Sequence, residues 1–355
     1  MDGVLVSLTE QSVEKTLDYL EEMRSIGFDT IFTSLQMPEE DPAGLLSPLE
    51  RIGGFARERG MTLMADVSPR AFKHFSAGKL REAGVTGLRI DYGLDNAQIA
   101  ALSREWTVAF NASTIGDDFL DDLRRLDANF DALEAWHNYY PRPETGLDEE
   151  DFRKRNRWLR ERGLKVAAFV AGDGNLRGPL REGLPTLERH RGMSPFAAAL
   201  ELKHENEADR VIVADLSVSE RTRRRFEALN EGRVLLEAED WLDSPLWADT
   251  HRNRPDIARD AIRSEEARRR AREPIEPRRC IQRPRGAITV DNDLYARYAG
   301  EFQIVLNPLP ADERVNVLGY VAERDLPLLR FLQRSGHPFA FELGRPAGGT
   351  GEPRE

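Results

Sequence analysis

The sequence predicts an α/β protein, a (β/α)8 TIM barrel followed by a small β-rich domain, and three observations carry that prediction. Short β-prone runs alternate with longer stretches of helical period across the first two thirds of the chain, the pattern of βαβ units and a parallel sheet. Eight such units fit within roughly 235 residues, close to the size of a closed barrel. Near Trp241 the helical period stops, and an Arg/Pro-rich run over 252–284 leads into short strand candidates.

In chain order, the strands fall at 3–8, 30–35, 62–67, 87–91, 107–111, 132–137, 165–170 and 210–214. Amphipathic stretches such as 13–23 and 45–59 lie between them, with apolar residues recurring at three and four. Gly27, Gly60, Gly84 and Gly163 fall just past such stretches, as helix C-caps do. An open doubly wound sheet would carry a Gly-rich fingerprint after its first strand, and Ser7-Leu8-Thr9-Glu10 is not one. The second domain reads as strands at 287–290, 301–305, 316–321 and 339–343 with one helix at 326–335. This places a barrel at 1–238, a β domain at 239–345 and a disordered tail of Gly, Pro and charge at 346–355.

A chain of 355 residues exceeds the size at which one core stops growing, which fits one large and one smaller domain. Hydrophobic content of 40% with 32% charged residues fits a soluble globular protein. The 51 basic against 62 acidic residues leave a net charge of -11, which argues against nucleic acid as a partner. An anionic small substrate would need only a few local arginines. The single cysteine, Cys280, excludes an internal disulfide or a cysteine metal cluster, and the six histidines are scattered, so no metal or other cofactor is expected. The start of the chain has neither a basic region nor a long apolar run, so the expected location is cytoplasmic and away from membranes.

In such a barrel the reacting groups stand at the C-terminal ends of the strands. Among the carboxylates found there, Glu39, Asp66 and Asp91 are the best acid/base candidates. Glycoside hydrolysis uses two carboxyl groups, one protonated to assist the leaving oxygen and one ionised to attack or to activate water. The plain structural alternatives are that Glu39 caps a helix after Asp41, that Asp66 fixes the turn before Pro69, and that Asp91 pairs with Arg89 or Arg70. His137 has no second ligand at metal spacing. With Asn138, Tyr139, Tyr140 and Arg142, and with Asn111 from the preceding strand, it reads as a wall for a sugar and its anion. After the seventh strand, the loop 172–191 is long and Gly-rich with four arginines. The amides of Gly172 and Gly174, together with Arg177, are expected to cradle an anion.

Taken in order, these segments resemble the 6-phospho-N-acetylmuramidase family. The resemblance rests on Ile31-Phe32-Thr33-Ser34-Leu35, Pro38-Glu39, Ala65-Asp66-Val67-Ser68-Pro69, Leu88-Arg89-Ile90-Asp91-Tyr92-Gly93, Asn111-Ala112-Ser113-Thr114, the run from His137 to Leu147, and Arg177-Gly178-Pro179-Leu180. Further along it rests on Tyr295-Ala296-Arg297-Tyr298 and Arg314-Val315-Asn316-Val317. The resemblance implies a barrel joined to a cyclophilin-like β domain, and hydrolysis of 6-phospho-N-acetylmuramyl-N-acetylglucosamine in peptidoglycan recycling. It assigns no catalytic pair, so Glu39, Asp66 and Asp91 stand on the bottom-up reading. Two positions depart from the family: Leu5-Val6-Ser7 stands where Ser-x-Tyr is usual, and Gln36 where His is common. In the second domain Arg285, Asn292, Tyr295 and Tyr298 are expected to bind the anionic substrate. Fold likeness to cyclophilins implies no isomerase activity. The competing readings are an isomerase or lyase on another sugar phosphate and a non-catalytic binding protein. An aldolase is weakened because only Lys165 lies near a strand, at its wrong end.

Overall fold

The computed structural model describes residues 2–35, 42–270 and 274–347. Eight parallel strands, β1 (Asp2–Leu5), β2 (Phe28–Ser34), β3 (Thr62–Val67), β4 (Gly87–Ile90), β5 (Thr107–Asn111), β6 (Leu133–Trp136), β7 (Lys165–Val170) and β8 (Arg210–Val213), close into a barrel. Closure is made by β1 against β8, with Gly3 beside Ile212 and Val4 beside Val213. Helices follow the strands: α1 (Val13–Ser25), α2 (Pro42–Glu58), α3 (Pro69–His74), α4 (Ala77–Glu82), α5 (Asn96–Ser103), α6 (Asp117–Arg125), α7 (Glu149–Glu161), α8 (Pro195–His204) and α9 (Glu220–Asn230). Gly27, Gly60, Gly84 and Gly163 all take positive φ, between 67° and 97°, the left-handed turn that ends a helix and feeds the next strand.

The strand period of two decides what the barrel encloses. Leu5, Phe32, Met64, Ala109, Trp136, Ala167, Phe169 and Ile212 form one buried cluster, with Phe32 at 5.4 Å from Trp136 and 5.5 Å from Phe169 between ring centres. Two residues further along on the same face come Ser34, Asp66, Asn111 and Asn138. The polar mouth is therefore the continuation of the apolar core by one step of the pleat.

The chain divides into two compact units after Arg223, inside α9. The second unit is a mixed six-stranded sheet in the order β10 (Ala261–Arg263), β12 (Phe302–Val305), β11 (Ala287–Asp291), β13 (Val315–Val321), β9 (Val234–Glu239), β14 (Phe339–Leu343), with α10 (Ala267–Arg270) and α11 (Leu328–Ser335). The sequence reading ended the barrel domain at 238 and missed β9 and β10. Val-Leu-Leu-Glu-Ala-Glu mixes helix formers with no strand alternation, and β9 finds its parallel partner only in β14, about a hundred residues later. β10 is three residues long within Arg/Pro-rich chain, too short to show a period.

At the heart of the second unit Arg225 and Asp325 are 1% and 0% exposed and paired, with Nη2 2.7 Å from Oδ2. The same carboxylate accepts the amide of Glu237 at 2.8 Å, so it ties α9 to β9. Removing one partner of such a pair strands a buried charge, at a cost of about 3–5 kcal/mol, whereas replacing both with apolar groups is close to neutral. Asp325→Ala should lower stability by about that amount in urea denaturation, and Arg225→Met combined with Asp325→Leu should recover most of it.

Candidate active site

Arg89 organises the barrel mouth. Its position in β4, between the outward Leu88 and Ile90, points it into the barrel, where it is 4% exposed. Nη1 donates to Asp66 Oδ1 at 3.0 Å, Nη2 lies 3.5 Å from Asp91 Oδ1, and Nη2 also donates to Asn138 Oδ1. Asn111 Nδ2 donates to Asp91 Oδ1 at 3.1 Å while its Oδ1 accepts the amide of Ser113. Strands β3, β4, β5 and β6 thus contribute to one connected cluster. Four of the residues expected at the site, Asp66, Asp91, Asn111 and Asn138, belong to it. Asp91 is its more open carboxylate, with a side chain 32% exposed against 14% for Asp66. Glu39 and Gln36 lie outside the described residues.

A second set of bonds joins the loops after β1, β7 and β6. The Ser7 hydroxyl accepts the amides of Thr9 and Glu10, shaping the turn that carries Glu10. Glu10 Oε1 accepts Arg177 Nε at 2.9 Å, and Arg177 Nη1 donates to the Tyr139 hydroxyl at 3.2 Å. Tyr139 packs edge-on against Phe169, 5.3 Å between ring centres, so its ring lids the barrel core. Ser7, Thr9, Thr33, Ser34 and Arg177 line a small concavity there.

The expected anion cradle is not formed by the glycine amides. Asp215, wholly buried at the end of β8, accepts Gly172 N at 2.8 Å, Arg177 N at 2.9 Å and Leu184 N at 3.2 Å, and Gly174 N donates to Ser217 O. The glycines are required by closeness: a Cβ on Gly172 would stand 2.5 Å from Ser217 O, and one on Gly174 2.5 Å from Ser217 Oγ. Burial pushes the Asp215 carboxyl up, and the three amides oppose it.

The loops after β6 and β7 are sewn together. Glu188 accepts the amides of Glu144 and Gly146 at 2.8 and 2.7 Å, and Arg191 donates to Glu188, to Tyr140 O and to Gly183 O. Arg191 beside it, helped by the two amides, holds the Glu188 carboxyl down at about 2. Arg142 is exposed, and its carbonyl accepts the Thr145 hydroxyl. In the second unit Asn292 is wholly buried and holds Glu313 O and Asn316 Oδ1 at 2.8 Å, which makes it a fastening of that unit's interior. Arg285 Nη2 donates to Leu326 O, and Tyr295 lies under Arg314 and edge-on to Tyr298. Arg89, Glu10 and Asp215 were not singled out as site residues; the visible signal was an arginine in the middle of the apolar run Leu88-Arg89-Ile90.

His137 is corrected from substrate wall to structural residue. Pleat alternation turns it away from Trp136 and toward α7, where it is 0% exposed, 4.4 Å from the Phe152 ring and 2.8 Å from Asn156 Oδ1 through Nε2. Asn156 Nδ2 donates to Asn206 O, which fixes the amide so that its oxygen faces the imidazole. Nε2 therefore carries the proton. Burial pushes this imidazole down to about 4 from 6.5. A neutral histidine depressed in this way contributes its full stability above about 6.5, and that contribution is lost as pH falls toward 4, because the unfolded chain takes up the proton first. The loss should reach about 3 kcal/mol between pH 7 and pH 4. His137→Gln should remove that part of the pH dependence in denaturation curves; an unchanged slope would show that the imidazole is protonated in place.

Among the described residues no helix is long and apolar enough to cross a membrane, and no group of three His, Cys, Asp or Glu side chains could hold a metal. A conserved protein of unknown function from Enterococcus faecalis is similar in structure at TM-score 0.88 and 41% identity, with 97% of this chain and 96% of that chain covered. An uncharacterized protein from B. cereus is similar at TM-score 0.76 and 26% identity, over 96% and 99% of the two chains. No curated relative matches. The family description "6-phospho-N-acetylmuramidase, N-terminal" matches residues 3–228, and "6-phospho-N-acetylmuramidase, C-terminal" matches 234–342. With both matches spanning nearly its whole length, the chain belongs to the 6-phospho-N-acetylmuramidase family.

Proposed function

We propose that the barrel mouth hydrolyses the glycosidic bond of a phosphorylated amino-sugar disaccharide of the 6-phospho-N-acetylmuramyl-N-acetylglucosamine type, the substrate that the family's name points to, as a cytoplasmic step of peptidoglycan recycling. The observation that carries this reading is the cluster in which one buried guanidinium, Arg89, pairs with both Asp66 and Asp91 at the strand ends. Glycoside hydrolysis uses one ionised and one protonated carboxyl, and in this reading the cluster supplies the ionised one. In this reading Asp91, more open than Asp66 and steadied by Asn111, acts as the anion, facing the positive charge that develops on the sugar or activating water. Asp66, more enclosed, holds Arg89 and through it Asn138. In the same proposal Glu39 donates the proton to the leaving oxygen. The substrate's phosphate and carboxylate are taken by arginines at the mouth, Arg142 and Arg177 among them, the latter already bonded to Glu10 and Tyr139.

Incubation with phosphorylated and unphosphorylated muramyl disaccharides, following sugar release, tests the reading. Turnover of the phosphorylated compound alone is expected, and a folded sample that turns over neither would sink it. Asp91→Asn should lower turnover by at least about 10²-fold for every leaving group. Glu39→Gln should cost as much with the natural sugar leaving group and far less with an activated aryl leaving group, which needs no proton, on the ~10²–10⁴-fold scale of acid/base assistance.

A further inference from the structure

Tyr92 is the most exposed large apolar side chain among the described residues, at 62%. It follows Asp91 directly at the end of β4. The next residue, Gly93, takes φ 84°, and a Cβ there would stand 2.4 Å from Pro69 Cγ. The backbone is thus pressed against the first residue of α3, and Ser68 fixes that helix start by accepting the amide of Ala71. The backbone that carries Tyr92 is therefore constrained on its C-terminal side, while the ring itself stands in water.

Other tyrosines of the chain are used differently. Tyr139 rests on Phe169, Tyr140 is half-buried with a phenol raised by burial, and Tyr295 and Tyr298 are covered by arginines. Among the described residues no ring or cation contact is made by Tyr92. An aromatic ring left in water contributes little to folding, whereas an exposed ring next in sequence to a mouth carboxylate offers an apolar face of the kind that packs against the C–H face of a sugar.

We propose that Tyr92 is the stacking platform of a sugar subsite beside Asp91, taking a pyranose ring of the bound saccharide; this rests on the reading of the mouth as a glycosidase. The ring, not the hydroxyl, is the recognising element, so Tyr92→Phe should behave as wild type. Tyr92→Ala should raise KM for the phosphorylated muramyl disaccharide about tenfold while kcat stays within about twofold, the scale of one aromatic contact. The exposure of the ring means that neither substitution should disturb the fold, which a thermal melt checks. Unchanged KM in Tyr92→Ala, or equal loss in Tyr92→Phe and Tyr92→Ala, overturns the platform. If the wild-type chain does not cleave the disaccharide, the glycosidase reading fails by itself. Calorimetric titration of the same compound then decides the platform: roughly tenfold weaker binding by Tyr92→Ala supports it. Equal affinity, or no binding by the wild type, overturns it.

Discussion

A guanidinium inside a closed barrel cannot remain without anions, because an isolated buried charge costs far more than a fold of this size has in reserve. Arg89 imposes that condition on everything around it. Its inward position in β4 requires acceptors around it, and Asp66, Asp91 and Asn138 supply them. The polar face of the mouth is thus a bonded set, one guanidinium against two carboxylates and an amide, whose members depend on one another. Loss of any one of them leaves the others with an unmatched charge or an unmade bond, so such residues act as a unit. The apolar layer beneath, from Phe32 to Trp136 and Phe169, keeps water from reaching this set from below.

The barrel was legible because its strands are buried on both faces and its helices on one, so the two periods separate cleanly along the chain. Asp66, Asp91, Asn111 and Asn138 were legible for the same reason, as polar residues ending apolar strands. His137 misled because a strand end gives two adjacent residues opposite directions: Asn138 turns inward, and His137 turns out to Phe152 and Asn156. No count of polar residues distinguishes the two; only the parity with Trp136 does. Gly172 and Gly174 misled differently. A glycine admitted by the crowding of Ser217 looks the same in sequence as one that leaves an amide open to a ligand.

The second unit was harder to read because its sheet is assembled from distant segments. β9 and β14 are parallel neighbours with four other strands between them in the chain, so no local pattern announces the pair. Asn292 stands in a polar motif that suggests ligand binding, yet its side chain works inside the fold. Its amide nitrogen holds Glu313 and Asn316, and its oxygen caps Leu294. Buried amides of this kind are chosen for satisfying backbone groups, and they resemble ligand-binding amides in sequence.

Asp215 has a consequence for how the mouth meets its ligand. By gathering the amides of Gly172, Arg177 and Leu184, this internal carboxylate fills the electropositive hollow that the loop after β7 would otherwise present to a phosphate. The loop is ordered during folding, by a group that never dissociates. Its conformational entropy is therefore lost once, before any encounter, and does not weaken each binding event. On the side of the loop after β7 the mouth therefore presents a finished surface, of fixed shape and charge.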